Sequence, residues 1–478
     1  MTEELHFLSA TEALAAFRAR RLSPVELLDA VIARAEATEQ TVNALCHRFF
    51  DGAREQARAA EARYAPGGEP PRPLEGIPLA VKEEEPIAGQ PWTQGSLIYE
   101  ELVAGHTSTF AQRMLDAGAI VHARTTAPEF SCAGFTHSRL WGVTRNPWNP
   151  EYAVGGSSGG AGAALAAGST TLASGSDIGG SIRIPASFNG VVGFKPPHGR
   201  VPQDPPFNLD TYCHVGPMAR TVADTALYQN VIAGPDSLDI ASLLPEVVLP
   251  DRFEGIEGMR IAVSTDLGDW PVDAEIRTNT LDVAAALRQC GAIVDEVDVH
   301  VPQAEVVRAA DIHYVHGFGG WIAATVAEHP DQVTDYALEL ARECREVAAG
   351  APMFEGLEIE ARLWPPVGLV LAEYEALICP SVVTRGLIAG DSYVDHGIEV
   401  GGRDLPHYFH AMMTVVFNLF SRCPVLAMPS GFASNGVPTG VQIATRPYQD
   451  VAAFRIGAAL DEARPRRERP GLGQEAGG

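Results

Sequence analysis

Between residues 9 and 63 apolar positions recur at three- and four-residue intervals with few glycines or prolines to interrupt them. Leu14, Phe17 and Leu22, then Leu27, Leu28, Val31 and Ile32, mark the buried faces of two amphipathic helices. Ser23 followed by Pro24 is a helix start: the hydroxyl can accept from a free N–H of the first turn, where proline's missing N–H costs nothing. Tyr64 to Arg72, with Pro66, Gly67, Gly68, Pro70 and Pro71, reads as a loop. From Ile77 onward the pattern changes to short apolar runs divided by glycine and proline and alternating with helical stretches, an α/β texture. Ile77–Val81 predicts a buried strand, Thr109–Ala117 a helix and Ala119–Val121 the next strand. Arg260–Val263, Ala274–Gln289 and Ile293–Val299 repeat strand, helix and strand, and residues 301–370 read as mostly helical. The expected organisation is a helical arm over residues 1–65, one large α/β/α domain over 66–463 with a mixed twisted sheet covered by helices, and a disordered tail over 464–478.

Composition narrows the partners. A net charge of −25, from 60 acidic against 35 basic residues, repels phosphate backbones and anionic lipids, so neither nucleic acid nor membrane is expected. The acidic start Met-Thr-Glu-Glu-Leu-His lacks the layout of a signal peptide. The small apolar stretch Ala161–Ala173, interrupted by Gly162, Gly168 and Ser169, is too short to span a bilayer. Seven cysteines, scattered and without a C-x-x-C, predict free thiols in a reducing compartment, with the cytoplasm as the expected location and no metal site.

Only two of the 35 basic residues are lysine, Lys82 and Lys195. Lysine supplies what arginine cannot, an amine able to lose its proton. Lys82 closes the apolar run Ile77–Val81, where burial would lower its pKa. Glu83, Glu84 and Glu85 follow at once and would raise it, unless their side chains turn away or hydroxyl groups offset them. Downstream, Gly155-Gly156-Ser157-Ser158-Gly159-Gly160-Ala161-Gly162 precedes an alanine-rich helix, and Asp177-Ile178-Gly179-Gly180-Ser181-Ile182-Arg183 follows. Two serines 24 residues apart in glycine-rich turns, with a strand-ending lysine upstream, offer a hydroxyl nucleophile, a base and N–H donors for an oxyanion.

This block resembles the signature of the amidase signature family: Gly-Gly-Ser-Ser-Gly-Gly, then Asp-Ile-Gly-Gly-Ser-Ile-Arg-x-Pro at the family's spacing. Gly76–Lys82, Thr144–Trp148, Gly190–Pro196, Gly216–Asp224, Pro424–Pro429 and Gly436–Gln442 resemble its other blocks, so the likeness runs from about residue 8 to 462. The resemblance implies the amidase signature fold, with Ser181 as acylated nucleophile, Ser157 as proton relay across a cis peptide, and Lys82 as base. It also implies an oxyanion hole from the N–H groups of Ile178, Gly179, Gly180 and Ser181, with Ser158, Asp177 and Arg183 in support, the last two as loop braces or as a plain ion pair. Pocket candidates are Phe130, Ser131, Cys132, Gly134 and Phe135, together with Cys213 and His214. The implied activity is hydrolysis of a small amide or carbamate, as in an aryl acylamidase or urethanase, without cofactor, with that small molecule as partner and a homodimer left open.

Where the family commonly carries Asp-Asn after the lysine this chain has Glu83-Glu84, and His198 also departs from it, both of which bear on substrate. Three rivals remain open. Gly155-x-Ser157-x-Gly159 and Gly156-x-Ser158-x-Gly160 fit the nucleophile elbow of an α/β-hydrolase esterase, which would need a later acid and histidine. The amidase-like subunit of a tRNA-dependent amidotransferase shares the signature. A phosphate-binding module lacks its G-x-x-x-x-G-K-[ST] here. His313 and His316 form H-x-x-H and read as surface or core histidines.

Overall fold

The computed structural model describes residues 4–465 and 468–472. The arm opens with α1 (Ala10–Arg18) and α2 (Pro24–Val42), each started by a serine–glutamate capping box, Ser9 with Glu12 and Ser23 with Glu26. Pro24 is the first residue of its helix, as the sequence predicts. Leu14, Phe17, Leu27 and Val31 bury against Ile77, Leu79 and Phe110, so the arm belongs to the same core as the first central strands. The arm also contains a strand that helical periodicity hides. After Asn43, in the left-handed conformation, the chain forms β1 (Leu45–Arg48) before returning to helix in α3 (Phe50–Tyr64).

The remaining strands of the main sheet are β2 (Pro78–Lys82), β3 (Ile120–Thr125), β4 (Leu172–Asp177), β5 (Val192–Lys195), β6 (His214–Ala219), β7 (Arg260–Val263), β8 (Ile293–Glu296), β9 (Ala376–Pro380), β10 (Val425–Phe432) and β11 (Pro438–Thr445). These 11 strands run in the order β1-β3-β2-β4-β6-β5-β10-β11-β9-β7-β8. β3, β2 and β4 are parallel, as are β9, β7 and β8, whereas the middle from β4 to β9 is antiparallel. Alternation along the strands feeds two cores. Ala262, Leu377 and Cys379 pack under helices 303–316 and 353–373, while Ile261, Val263 and Ile378 pack under helices 274–289 and 450–463. The sheet is therefore sandwiched by helices, the expected α/β/α arrangement. Arg260–Val263 and Ala274–Gln289 form as predicted; the third element of that unit stops at Glu296, short of Val299.

Two short helices flank the candidate site. α4 (Gly159–Ala167) is buried on every side, so it carries no polar face. Its first glycines are forced by close approach: a Cβ on Gly159 would stand 2.1 Å from Thr136 Oγ1. α5 (Arg183–Asn189) begins two residues after Ser181 and is likewise buried throughout. Among the described residues no helix is long and apolar enough to cross a membrane. In the expected tail, the Arg469 guanidinium lies 4.7 Å from the Phe7 ring centre, and the Leu472 carbonyl accepts from Arg34 at 2.9 Å. Residues 466–467 and 473–478 of that tail lie outside the described residues.

Candidate active site

Parallel strands β2 and β4 end side by side, and open α/β sheets bind ligands beyond such carboxyl ends. β2 delivers Lys82, whose side chain is fully buried. Its Nζ donates to Ser157 Oγ at 2.7 Å and to Ser176 Oγ at 2.9 Å, and lies 3.0 Å from Glu84 Oε2. The Lys82 backbone N–H donates to Ser174 Oγ at 2.8 Å. Ser174 and Ser176, two apart on β4, thus use one strand face to hold both ends of the lysine. Burial lowers the Lys82 pKa from its ordinary 10.5, opposed chiefly by the charge of Glu84 and then by Glu85 and Glu83.

The three glutamates divide. Glu83 turns away, accepting from Thr93 Oγ1, from Trp141 Nε1 at 2.8 Å and from the Ala127 N–H at 3.2 Å. Glu85 accepts from Ser108 Oγ at 3.0 Å, and burial together with the neighbouring Glu84 charge pushes it up to about 7. Glu84 stays against the lysine, and its Oε2 also accepts from Ser131 Oγ. Of the two outcomes the sequence leaves open, turning away holds for Glu83, whereas Glu84 stays beside the amine because the turn closed by the Glu85 N–H on the Lys82 carbonyl folds it back over Nζ.

Ser157 follows a cis Gly156–Ser157 peptide, in agreement with the resemblance. A Cβ on Gly156 would sit 2.3 Å from the Phe135 carbonyl oxygen, so a side chain there would displace the serine. Ser158 Oγ accepts the Ser176 N–H at 3.2 Å and donates to the Ser176 carbonyl at 3.3 Å, tying the loop to β4. Its own N–H donates to the Ser181 carbonyl at 3.2 Å. Neither Ser157 nor Ser158 bonds a histidine among the described residues, as an esterase elbow would require. No hydrogen bond joins the Ser157 and Ser181 hydroxyls among the described residues; the structure holds the lysine–serine link closed and the serine–serine link open.

Ser181, 8% exposed, ends the turn Ile178–Ser181. The carbonyls of Ile178 and Gly179 are held by Tyr314 OH at 3.0 Å and Thr414 Oγ1 at 2.8 Å. A trans peptide points its N–H opposite its C=O, so the first of these anchors aims the Gly179 N–H away from Tyr314. The Gly180 N–H, however, donates to Asp177 Oδ1 at 2.9 Å. Of the four oxyanion donors expected, this one is already committed: the Asp177 carboxylate curls under the turn and takes it. Gly180 sits at φ +125°, where a Cβ would meet Thr414 Oγ1 at 2.0 Å.

Asp177 and Arg183 form a fully buried pair, 2.8 Å apart at Nη2–Oδ1. Burial pushes Asp177 up, but the Arg183 charge and the hydrogen bonds from Arg183 and Asn418 outweigh it and hold the carboxyl at about 2. Arg183 also donates to the Thr414 carbonyl, Gln442 Oε1 and Asn418 Oδ1. The pair is thus a brace joining the Ile178–Ser181 turn to the segment after residue 413 and to β11.

A cavity of about 710 Å³ opens onto Ser157, Ser176 and Ile178. Of the pocket candidates, Phe130, Ser131, Cys213 and His214 line it. Cys132, Gly134 and Phe135 do not. Phe135 is 1% exposed between His137, Tyr336 and Tyr408, and the Gly134 N–H is bonded to Tyr408 OH at 3.0 Å. Cys132 packs against the same cluster, so these three belong to the core. Trp92, Tyr99, Phe207, Phe318 and Trp321 line the cavity without having been singled out by the sequence, and Glu84, which the sequence marks as a departure bearing on substrate, lines it too. Phe130 and Ser131 take positive φ, 53° and 57°, which aims the Phe130 ring edge-on at Trp321, 5.5 Å between centres. Of Lys82, Ser157 and Ser181 only Ser157 lines this cavity, and a second cavity of about 720 Å³, between Phe7 and the segment 429–432, is lined by none of the three. His313 of the H-x-x-H bonds Asp210 at 2.6 Å and stacks on Tyr212.

The amidase family profile matches residues 26–454. The chain is 32% identical over 471 residues to an acylamidase of Rhodococcus erythropolis, covering 97% of each. It is also 32% identical over 482 residues to a glutamyl-tRNA(Gln) amidotransferase subunit of Chloroflexus aurantiacus, covering 95% of this chain and 96% of that protein. Among solved structures it superposes on a bacterial aryl acylamidase of the amidase signature enzymes with a TM-score of 0.88 at 27% identity, covering 96% of this chain and 97% of the other. A 6-aminohexanoate cyclic dimer hydrolase follows at a TM-score of 0.84 and 27% identity, covering 98% and 99%. The chain therefore belongs to the amidase family, the amidase signature hydrolases.

Proposed function

We propose that this chain hydrolyses carbon–nitrogen bonds of small amides or carbamates through an acyl-enzyme on Ser181. The observation that carries the reading is a buried lysine with a lowered pKa donating at 2.7 Å to Ser157, which lines a cavity walled by aromatic rings. In the neutral form Lys82 takes the Ser157 proton as Ser157 takes that of Ser181. Ser181 Oγ adds to the carbonyl carbon, and the oxyanion is received by the N–H groups of the turn, of which those of Ile178, Gly179 and Ser181 have no acceptor among the described residues. The relay then protonates the departing nitrogen and the C–N bond breaks. Water, deprotonated by the same relay, releases the acid and regenerates Ser181. These steps use protein groups and water alone. A general base of this kind contributes about 10²–10⁴-fold.

The test is to treat the purified chain with an activated aryl carbamate and map the modified peptide. Carbamoylation of Ser181 is expected, and its loss in Ser181→Ala. Modification at Ser157 or Ser158 would instead support an esterase elbow. The relatives described as amidotransferase subunits carry the second reading, in which the chain works within a complex. Steady turnover of simple anilides by the chain alone separates the two.

A further inference from the structure

Lys82 Nζ meets three acceptors: Ser157 Oγ at 2.7 Å, Ser176 Oγ at 2.9 Å and Glu84 Oε2 at 3.0 Å. An ammonium fills all three with its three N–H groups. A neutral amine has two N–H groups and a lone pair, so one partner must give the nitrogen a hydrogen bond instead of taking one. A hydroxyl can do either, whereas an ionised carboxylate only accepts. Glu84 therefore keeps one N–H in both states of the amine, and the lone pair is left to the two hydroxyls.

Glu84 is itself held in place. Its Oε2 accepts from Ser131 Oγ as well as from Nζ, while Oε1 has no partner among the described residues. What fixes the carboxylate thus acts through the oxygen that meets the amine. Ser131 stands at φ 57°, its N–H bonded to the Pro128 carbonyl at 2.9 Å, and the Glu85 N–H closes on the Lys82 carbonyl at 3.0 Å. The other charges around the amine have partners elsewhere. Glu83 is taken by Thr93, Trp141 and the Ala127 N–H, and Glu85 by Ser108. From β3, Arg124 donates to the Lys82 and Glu85 carbonyls; from β4, Asp177 is paired with Arg183; before β6, burial pushes the Cys213 thiol up. Among the described residues only Glu84 forms an ion pair with Nζ. Its position is one where this chain departs from the Asp-Asn of its family, so the family signature assigns it no role.

We infer that Glu84 is a positioning residue of the relay: clamped by Ser131, it holds one N–H of Lys82 so that the lone pair faces the hydroxyls, and it stabilises the ammonium formed when Ser157 gives up its proton. The buried carboxylate of a Ser-His-Asp triad does both for its imidazole. The inference rests on the hydrolase reading above and adds a fourth member to its relay. One proton passes from Ser157 Oγ to Nζ as Ser157 takes that of Ser181, and Glu84 stays ionised throughout. Its charge then has two separable effects. Before reaction it favours the ammonium, which sets the acid limb of the rate profile high; in the transition state it favours the same ammonium, which raises the plateau above that limb.

The rate constant for carbamoylation of Ser181 by an activated aryl carbamate, followed by intact mass across limb and plateau with Ser181→Ala as blank, reads both. Glu84→Gln is expected to move the limb to lower pH and to drop the plateau about 10–10²-fold, the scale of a hydrogen bond to a charged group. Ser131→Ala keeps the charge and loses the clamp, so its plateau should fall about 2–10-fold without the limb moving to lower pH. A Glu84→Gln plateau equal to or above that of the unsubstituted chain overturns the inference, because Glu84 would then only restrain the base. A plateau lost with the limb in place and the unfolding midpoint lowered marks a packing role and overturns it too. Should Glu84→Gln fail to fold, an unchanged plateau in Ser131→Ala does the same. Each of these outcomes leaves Ser181 carbamoylated and the hydrolase reading intact; an adduct at another residue, or none, overturns that reading itself.

Discussion

Both lysines of this chain close a strand and both are fully buried, yet the ends of β2 and β5 surround them differently. Lys195 donates to the carbonyls of Pro196 and Cys423 at 3.2 and 3.0 Å and faces His214 Nε2 at 3.3 Å. Burial, aided by the Arg183 charge, brings it down to about 7. Lys82 donates to two hydroxyls and meets a carboxylate. Burial makes either amine able to lose a proton; the partners decide whether the proton has anywhere to go. Carbonyl oxygens only accept, whereas a hydroxyl accepts on one side and donates on the other. The proposed relay therefore belongs to β2, and Lys195 is a positioning residue that fixes β5, the 421–423 segment and, through His214, one wall of the cavity.

The largest effect that could break this contrast is Lys82→Arg. A guanidinium keeps its proton at any working pH, so kcat/KM is expected to fall about 10²–10⁴-fold while the protein stays folded. Equal activity would move the base elsewhere. Next is Arg183→Met, which leaves Asp177 buried without its cation; a loss of about 3–5 kcal/mol in denaturant unfolding is expected. Lys195→Met should cost about 1–3 kcal/mol from unsatisfied carbonyls, with Ser181 still carbamoylated in the folded protein. Because the folded-state value lies at about 7 and the unfolded one at 10.5, the unfolded chain holds the extra proton between them. The stability that Lys195 contributes relative to methionine should therefore rise from pH 7 to 10.5. The smallest effect is a shift of the rate profile. The Glu84 charge raises the Lys82 pKa against burial, so Glu84→Gln should move the acid limb of kcat/KM to lower pH. An acid limb that stays in place would show that Glu84 does not govern the base.

Much of the site was legible because its chemistry is local. The serine-rich turns, the strand-ending lysine and the helix starts at Ser23–Pro24 are each set within a few residues, and all stand where the sequence puts them. Ser176 could have been found too, since it lies two positions from Ser174 on a strand beside β2. What was hidden depends on distant parts of the chain. Phe135 and Phe130 look alike in sequence, yet one is enclosed by Tyr336 and Tyr408 while the other, turned by a positive φ, meets Trp321 across the cavity. The commitment of the Gly180 N–H to Asp177 is a matter of side-chain direction that spacing does not encode. β1 escaped notice because four residues between two helices, grading from buried Leu45 to exposed Arg48, carry no alternation long enough to read.

With two lysines in the whole chain, side-chain NMR of protein labelled with ¹³C,¹⁵N-lysine should give two ε-amine signals, assigned by Lys195→Arg. Titration is expected to show Lys195 losing its proton at about pH 7, and Lys82 doing so below its ordinary 10.5 and at still lower pH in Glu84→Gln. A Lys82 signal that stays ammonium up to pH 10.5 would contradict a neutral amine as the base for Ser157 and Ser181.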